Sequence, residues 1–503
     1  MKRRGDGSGL QTEAVDEGNR GGAQPALNGS VHKTLWYMGV KARVIRGFLS
    51  RVLEEEVPRG GTVVDLMSGT GVVAAYCANL YRVFANDVQE YSYVICRSLI
   101  EHEPRSKEAF LASVDPDRDL RKAYEKNFAI LERLHTPALE MEDALLERYA
   151  AGERGGRWCR EYRRFLETPG AVYGDRRKPG RIYSKAAELL SEDSISAYRD
   201  DPRRKPACLV TAYYASIYFG LRQSIALDSL RAALEDLKPP FAERKRIHYL
   251  SALLHAASTC TSGTSHFAQP RHLTKDSELR AMAARRRADI FARLRECSED
   301  VLSTVRNTRH LAGNQCFLGD YRALIRGEDR GATGKGKRGG PEGGIRFEFP
   351  SSPDLVYLDP PYTMDHYSRF YHVLEVLARY DYPPLERSPS GTVVRGRYPQ
   401  IAHRFQSDFC RRATVEGEFR RVARAAAGAG AKLVISYASP SGLLLKQYAK
   451  RTSQPVRLLE KLCRECYGDV ETRRLPLKHS GQGDKNLSVE ELLVICRRPR
   501  RQA

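Results

Sequence analysis

From residue 31 onward the chain alternates between two textures: short apolar runs bounded by glycine, and long charged stretches whose apolar residues recur at helical spacing. Thr62–Leu66 (TVVDL) lies between Gly60-Gly61 and Met67-Ser68-Gly69-Thr70-Gly71, the pattern of a buried strand ending in a tight turn. Val72–Leu80 reads as a helix and Tyr81–Ala85 as a second strand, an order that predicts a βαβ unit with a right-handed crossover. Residues 101–305 carry few strand signals and predict a mainly helical insertion, broken by the polar, basic run Asp175–Arg181. Strand texture returns at CFLGD around Cys316, and a Gly/Lys-rich stretch at 327–345 reads as a flexible loop. Leu355–Leu358, 431–438 and 490–496 supply three more strands. The prediction is an α/β fold in which two distant segments build one sheet.

Composition narrows the class. Apolar residues make up 41% of the 503-residue chain, enough to offset ordering entropy, so wholesale disorder is excluded except for a Gly- and Ser-rich tail at 1–30. No apolar stretch reaches the ~20 residues that span a bilayer, so no membrane association is expected. Eleven scattered cysteines and no apolar signal region predict reduced thiols and a cytoplasmic setting. The 83 Lys and Arg outnumber the 62 Asp and Glu, a surplus of +21 that suggests a polyanionic partner, most often nucleic acid. Charge names a partner class and no activity.

Two constellations carry chemistry. In Asp65-Leu66-Met67-Ser68-Gly69-Thr70-Gly71, glycines at a strand's carboxyl end let the backbone approach a ligand closely. Ala74 holds the third fingerprint place, so the turn fits only the relaxed dinucleotide pattern, and a nicotinamide or flavin reading stays open. Asp87 stands 22 residues on from Asp65, at the end of the second strand, where a carboxylate can accept from both hydroxyls of a ribose. Asp359-Pro360-Pro361-Tyr362 follows the apolar run Leu355–Leu358 directly. Two prolines hold the chain extended, leaving the Pro360 carbonyl beside the Asp359 carboxylate. That pair of acceptors complements the two N–H donors of an exocyclic amine, and Tyr362 offers an aromatic face to a planar base.

The paired motifs resemble the S-adenosylmethionine-dependent DNA adenine-N6 methyltransferases of the Dam-like and restriction-modification class. There the cofactor motif precedes the DPPY tetrad, with a target-recognition insertion between them, as here. Tyr37-Met38-Gly39-Val40-Lys41 is similar to the family's short N-terminal cofactor motif, and Asn314–Asp320 (NQCFLGD) to the strand whose terminal Asp holds the cofactor's adenine. Tyr367–Tyr382 and Ser436-Tyr437 also match in texture. The resemblance is good over 31–100 and 310–495 and loose over 101–305. It implies a Rossmann-like methyltransferase sheet split into 31–100 and 306–496, a recognition insertion at 101–305 and a basic tail at 497–503. The implied cofactor is S-adenosyl-L-methionine, held by Tyr37, Gly39, Lys41, Asp65, Ser68, Gly69, Gly71, Asp87 and Asp320. The implied catalytic set is Asp359, Pro360, Pro361 and Tyr362, without a metal, acting on an adenine flipped out of double-stranded DNA. A cognate restriction endonuclease is implied as a second partner.

Other signals are weaker. Gly331–Lys337 (GATGKGK) starts like a phosphate loop, but Arg338 stands where Ser or Thr must hold magnesium. Cys463-x-x-Cys466 is half of a structural zinc site. His266 and His366 default to ordinary surface or core histidines, and the arginines from 497 to 501 to a solvated end. There is no Pro-Cys dipeptide, which a cytosine-C5 enzyme would use as its nucleophile. An RNA adenine-N6 enzyme and a non-catalytic nucleic-acid-binding protein on the same scaffold remain the rival readings.

Overall fold

The computed structural model describes residues 44–175, 177–263, 267–324, 352–364, 367–478 and 488–500. Tyr37, Gly39 and Lys41, the stretches 1–30 and 327–345, the GATGKGK run, His266 and His366 lie outside them. Seven strands form one sheet: β1 (Thr62–Asp65), β2 (Arg82–Asp87), β3 (Gln315–Leu318), β4 (Leu355–Leu358), β5 (Lys432–Ser439), β6 (Tyr467–Lys478) and β7 (Ser488–Pro499). Their order is β3-β2-β1-β4-β5-β7-β6. The first five pair in parallel, and β7 runs antiparallel to both β5 and β6.

Strand alternation divides the core in two. Val63, Val83, Leu355, Tyr357, Val434 and Leu493 face one layer of helices, and Val64, Phe84, Val356, Leu358, Leu433 and Leu492 face the other. A sheet covered on both faces explains why its central strands read as continuous apolar runs. The second layer contains the helices Val415–Gly428, Leu443–Tyr448 and Pro455–Arg464. The first is far larger, because the described residues between β2 and β3 form helices, from Glu90–Ile100 to Ile290–Asn307, and no strand of the sheet. The longest, Pro116–Ala150, begins with Asp115 accepting from the backbone N–H groups of Asp117 and Arg118, and with proline in its first turn, where the missing N–H costs nothing. No helix among the described residues is long and apolar enough to cross a membrane.

Two features depart from the expected pattern. Strand β6 was not foreseen: Arg473, Arg474 and Pro476 interrupt any apolar alternation. It lies at the sheet edge, where charge and proline are tolerated because one side of the ladder needs no partner. Strand β7 continues to Pro499, past the boundary drawn at 496. Arg497 is therefore no solvated end; it pairs with Glu56 at 2.5 Å, Glu471 at 2.9 Å and Asp469 at 3.4 Å. Cys463, Cys466 and Cys496 are all buried in the second core layer.

Candidate functional site

The chain lays down β1, β2 and β3 towards one edge, then returns to place β4 on the other side of β1. Such a reversal opens a crevice beyond the strands' carboxyl ends, the usual ligand site of open α/β sheets. Four adjacent parallel strands each deliver an aspartate there. Asp65 ends β1, Asp87 ends β2, Asp359 follows β4 directly, and Asp320 stands two residues beyond β3. All four line one cleft with about 1160 Å³ of empty space up to its open mouth, together with Ser68, Gly69, Pro360, Pro361 and Tyr362.

The glycine turn is held from beneath. Gly69 and Gly71 have φ of 52° and 70°, in the left-handed region that glycine enters without strain. The Asp87 carboxylate accepts from the Gly69 N–H at 2.9 Å and, on its other oxygen, from the Gln89 N–H at 2.9 Å. Asn86 donates to the carbonyls of Leu66 and Gly319, both at 3.2 Å, tying the ends of β1 and β3 together. Gly71 lines no cleft wall; it lets the turn press against the helix Glu90–Ile100, where an added Cβ would come within 2.9 Å of the Cys96 Cα. Gly71→Ala is therefore expected to lower stability by roughly 2 kcal/mol, from left-handed strain and backbone crowding. Urea unfolding checks this; an unchanged midpoint would mean the helix yields freely.

Electrostatics single out the floor. Asp65 is buried, and among the described residues neither carboxylate oxygen accepts a hydrogen bond of good geometry. Burial, then the neighbouring Asp359 and Asp87 carboxylates, push its pKa well above the usual range, and only the Met67 backbone N–H opposes the rise. Burial likewise raises Asp87 to about 6, against the pull of its backbone donors. The buried Ser68 hydroxyl also has no hydrogen-bond partner among the described residues. An unsatisfied carboxylate beside two others is costly in an empty protein and complements a cation.

Asp320 is differently placed. It caps the short helix Tyr321–Ala323, and its carboxylate pairs with Arg322, which also reaches Asp408. It faces the cleft with those bonds already made. In the tetrad, the Tyr362 hydroxyl lies 2.7 Å from Asp359 Oδ1 and 3.0 Å from Glu491 Oε1. The ring stands edge-on to Tyr437, with centroids 5.5 Å apart. The expectation for Tyr362 concerned its face; the structure adds that its hydroxyl anchors it to two carboxylates.

Glu491 escaped the sequence reading. It is 3% exposed on β7 and accepts from the Ser436 hydroxyl of β5 as well as meeting Tyr362. One signal was available: it shares the strand face of Leu493 and Ile495, where the alternation calls for an apolar side chain. Asn86 was likewise passed over. Among the expected residues, the structure gathers Asp65, Ser68, Gly69, Asp87, Asp320 and the tetrad into one cleft, and sets Gly71 behind it.

Comparison with known proteins gives two findings. Residues 37–149 match the family model of the D12 class N6 adenine-specific DNA methyltransferases. This match includes the glycine turn and Asp87 and runs past residue 100 into the helical segment. Over 351 residues, 69% of this chain, the sequence is 23% identical to the modification methylase LlaI of Lactococcus lactis subsp. lactis. The chain spans 39% of that relative's length. Both findings support the class to which the paired motifs point, an adenine DNA methyltransferase.

Proposed function

We propose that this chain transfers a methyl group from S-adenosyl-L-methionine to the N6 amino group of an adenine turned out of double-stranded DNA. The observation that carries this reading is the convergence of Asp320, Asp87, Asp65 and Asp359 from four adjacent strands on one cleft, between the glycine turn and the Asp-Pro-Pro-Tyr tetrad. The sheet order, with a single antiparallel strand inserted near one edge, suits a Rossmann-like methyltransferase sheet. The helices between β2 and β3 would then form the target-recognition insertion.

The donor set fits a cationic cofactor. The orphaned Asp65 carboxylate needs a positive or N–H-bearing partner, and a sulfonium compound with an ammonium group brings both. Bound there, it supplies an electrophilic methyl group. Asp87 would accept from the ribose hydroxyls through the lone pairs left over from Gly69 and Gln89, while fixing the turn. Asp320, oriented by Arg322, would accept from the cofactor's adenine. Tyr37, Gly39 and Lys41 complete the proposed cofactor set. At the acceptor side, Asp359 and the Pro360 carbonyl would take the two N6 hydrogens, turning the nitrogen lone pair towards the methyl group. Positioning and fixed charge then supply most of the acceleration.

The surplus of +21 suits a phosphate backbone. Similarity to a modification methylase favours a restriction-modification setting, with a cognate endonuclease as partner. The test is incubation with labelled S-adenosylmethionine and, in parallel, unmodified duplex DNA, single-stranded DNA and RNA, followed by nucleoside analysis. Label in N6-methyldeoxyadenosine from the duplex is expected. Label confined to RNA, or in cytosine, would overturn the reading.

A further inference from the structure

We propose that Glu491 receives the proton that N6 methylation releases, through Tyr362, and that this buried carboxylate serves the chemistry without touching the substrate. The inference rests on the function proposed above. Its basis is a chain of three oxygens: Asp359 Oδ1 lies 2.7 Å from the Tyr362 hydroxyl, which lies 3.0 Å from Glu491 Oε1. A phenol carries one hydrogen, so it can donate to only one of the two carboxylates at a time. A proton arriving at Asp359 can therefore be passed on through the phenol. Methyl transfer produces such a proton at the nitrogen next to Asp359.

The N6 lone pair forms the N–C bond while the electrons of the S–C bond return to sulfur, leaving N6 with a positive charge and two hydrogens. One of these passes to Asp359. The protonated Asp359 donates to the Tyr362 oxygen as the phenol's own hydrogen moves to Glu491. Asp359 and Tyr362 are thereby restored, and Glu491 holds the proton. Once the product leaves, the proton returns along the same bonds to solvent at Asp359. The Ser436 hydroxyl, which donates to Glu491 Oε1 from β5, fixes the carboxylate in line with the phenol.

Position argues against a role in packing. Glu491 occupies a core-facing place on β7, and an ionisable side chain there weakens the core unless its hydrogen bonds are needed. It is also out of reach of bulk water, so a proton placed on it cannot leak away during the reaction.

Glu491→Gln keeps the shape and can still bond Ser436 and Tyr362, but cannot take up a proton. Single-turnover methyl transfer to duplex DNA would be followed from pH 6 to pH 9, with cofactor and DNA affinities measured separately. Expected is a rate about 100-fold lower at pH 7 with affinities within about 3-fold, and a deficit that shrinks towards pH 9 as solvent accepts the proton. Tyr362→Phe breaks the same chain without altering Glu491 and should show the same pH-dependent deficit. The double variant should be no slower than the slower single one. A wild-type rate in Glu491→Gln, a deficit constant across pH, or additive losses would overturn the relay and leave the functional reading standing. No transfer by the wild-type chain would instead overturn that reading, and the relay with it.

Discussion

Asp359→Ala is expected to slow methyl transfer by about 1,000-fold or more while S-adenosylmethionine still binds within a few-fold of the wild-type affinity. The separation follows from the cleft. Asp65 and Asp87 end β1 and β2, with Ser68 in the glycine turn after β1, whereas Asp359 follows β4 and opens the tetrad. Removing Asp359 also takes away one of the carboxylates that raise the pKa of Asp65, so the floor becomes easier to ionise. This partly offsets the loss of one negative charge for a cationic ligand. Tyr362 keeps its partner Glu491, so the tetrad should hold its shape. Asp359→Asn controls for volume: it retains an acceptor oxygen but lacks the charge that favours the developing positive nitrogen. Its rate should fall between those of Ala and wild type. Single-turnover kinetics with labelled cofactor, beside calorimetric binding, separate the two quantities. Wild-type-like turnover in the Ala variant would remove Asp359 from the chemistry; equal losses of rate and cofactor affinity would place it in binding instead.

How far such a site can be read from sequence depends on whether a residue's partners are local. Asp65 and Asp359 were legible because each closes a short apolar run of a strand buried on both faces. Asp87 ends the strand that pairs with β1. The glycine turn was legible because a positive φ demands a residue type. Strand β6 was not, because an edge strand may carry Arg473, Arg474 and Pro476 without penalty, and so loses the alternation that marks its neighbours. Arg497 looked like part of a tail because its partner Glu56 lies 441 residues away. Glu491 was hidden for the same reason: its meeting with Tyr362 spans 129 residues and depends on the β5–β7 register, which places Ala438 opposite Glu491. The bond by which Asp87 clamps the turn through Gly69 also came only from the structure.

Asp65→Asn should strengthen the fold and weaken the cofactor, and the two effects should share a pH dependence. A carboxyl whose pKa is raised in the folded state binds its proton more tightly there than in the unfolded chain. Below the unfolded value both states are protonated and nothing is lost. As pH rises past it, the unfolded state ionises first, and the folded state loses stability until its own pKa is reached. Asp65 and Asp87 are both raised, Asp87 to about 6, so both act in this direction. Replacing Asp65 with Asn removes the larger penalty. The variant should be more stable than wild type by about 1–3 kcal/mol at pH 8, an advantage that fades as pH falls towards 4. Cofactor binding should change the other way. A cationic ligand needs the ionised carboxylate, so the Asn variant should bind roughly 10- to 100-fold more weakly at pH 8. Wild-type affinity should itself decline as pH falls, first as Asp65 takes up its proton and then, below about pH 6, as Asp87 does. Urea unfolding at both ends of the range, beside calorimetric titration with S-adenosylmethionine, measures both trends. An Asn variant that is less stable at pH 8, or binds the cofactor as tightly as wild type, would show that the burial of Asp65 serves the fold and not the ligand. The opposite signs are the physical mark of a carboxylate that costs the empty protein stability and is satisfied by the cation it binds.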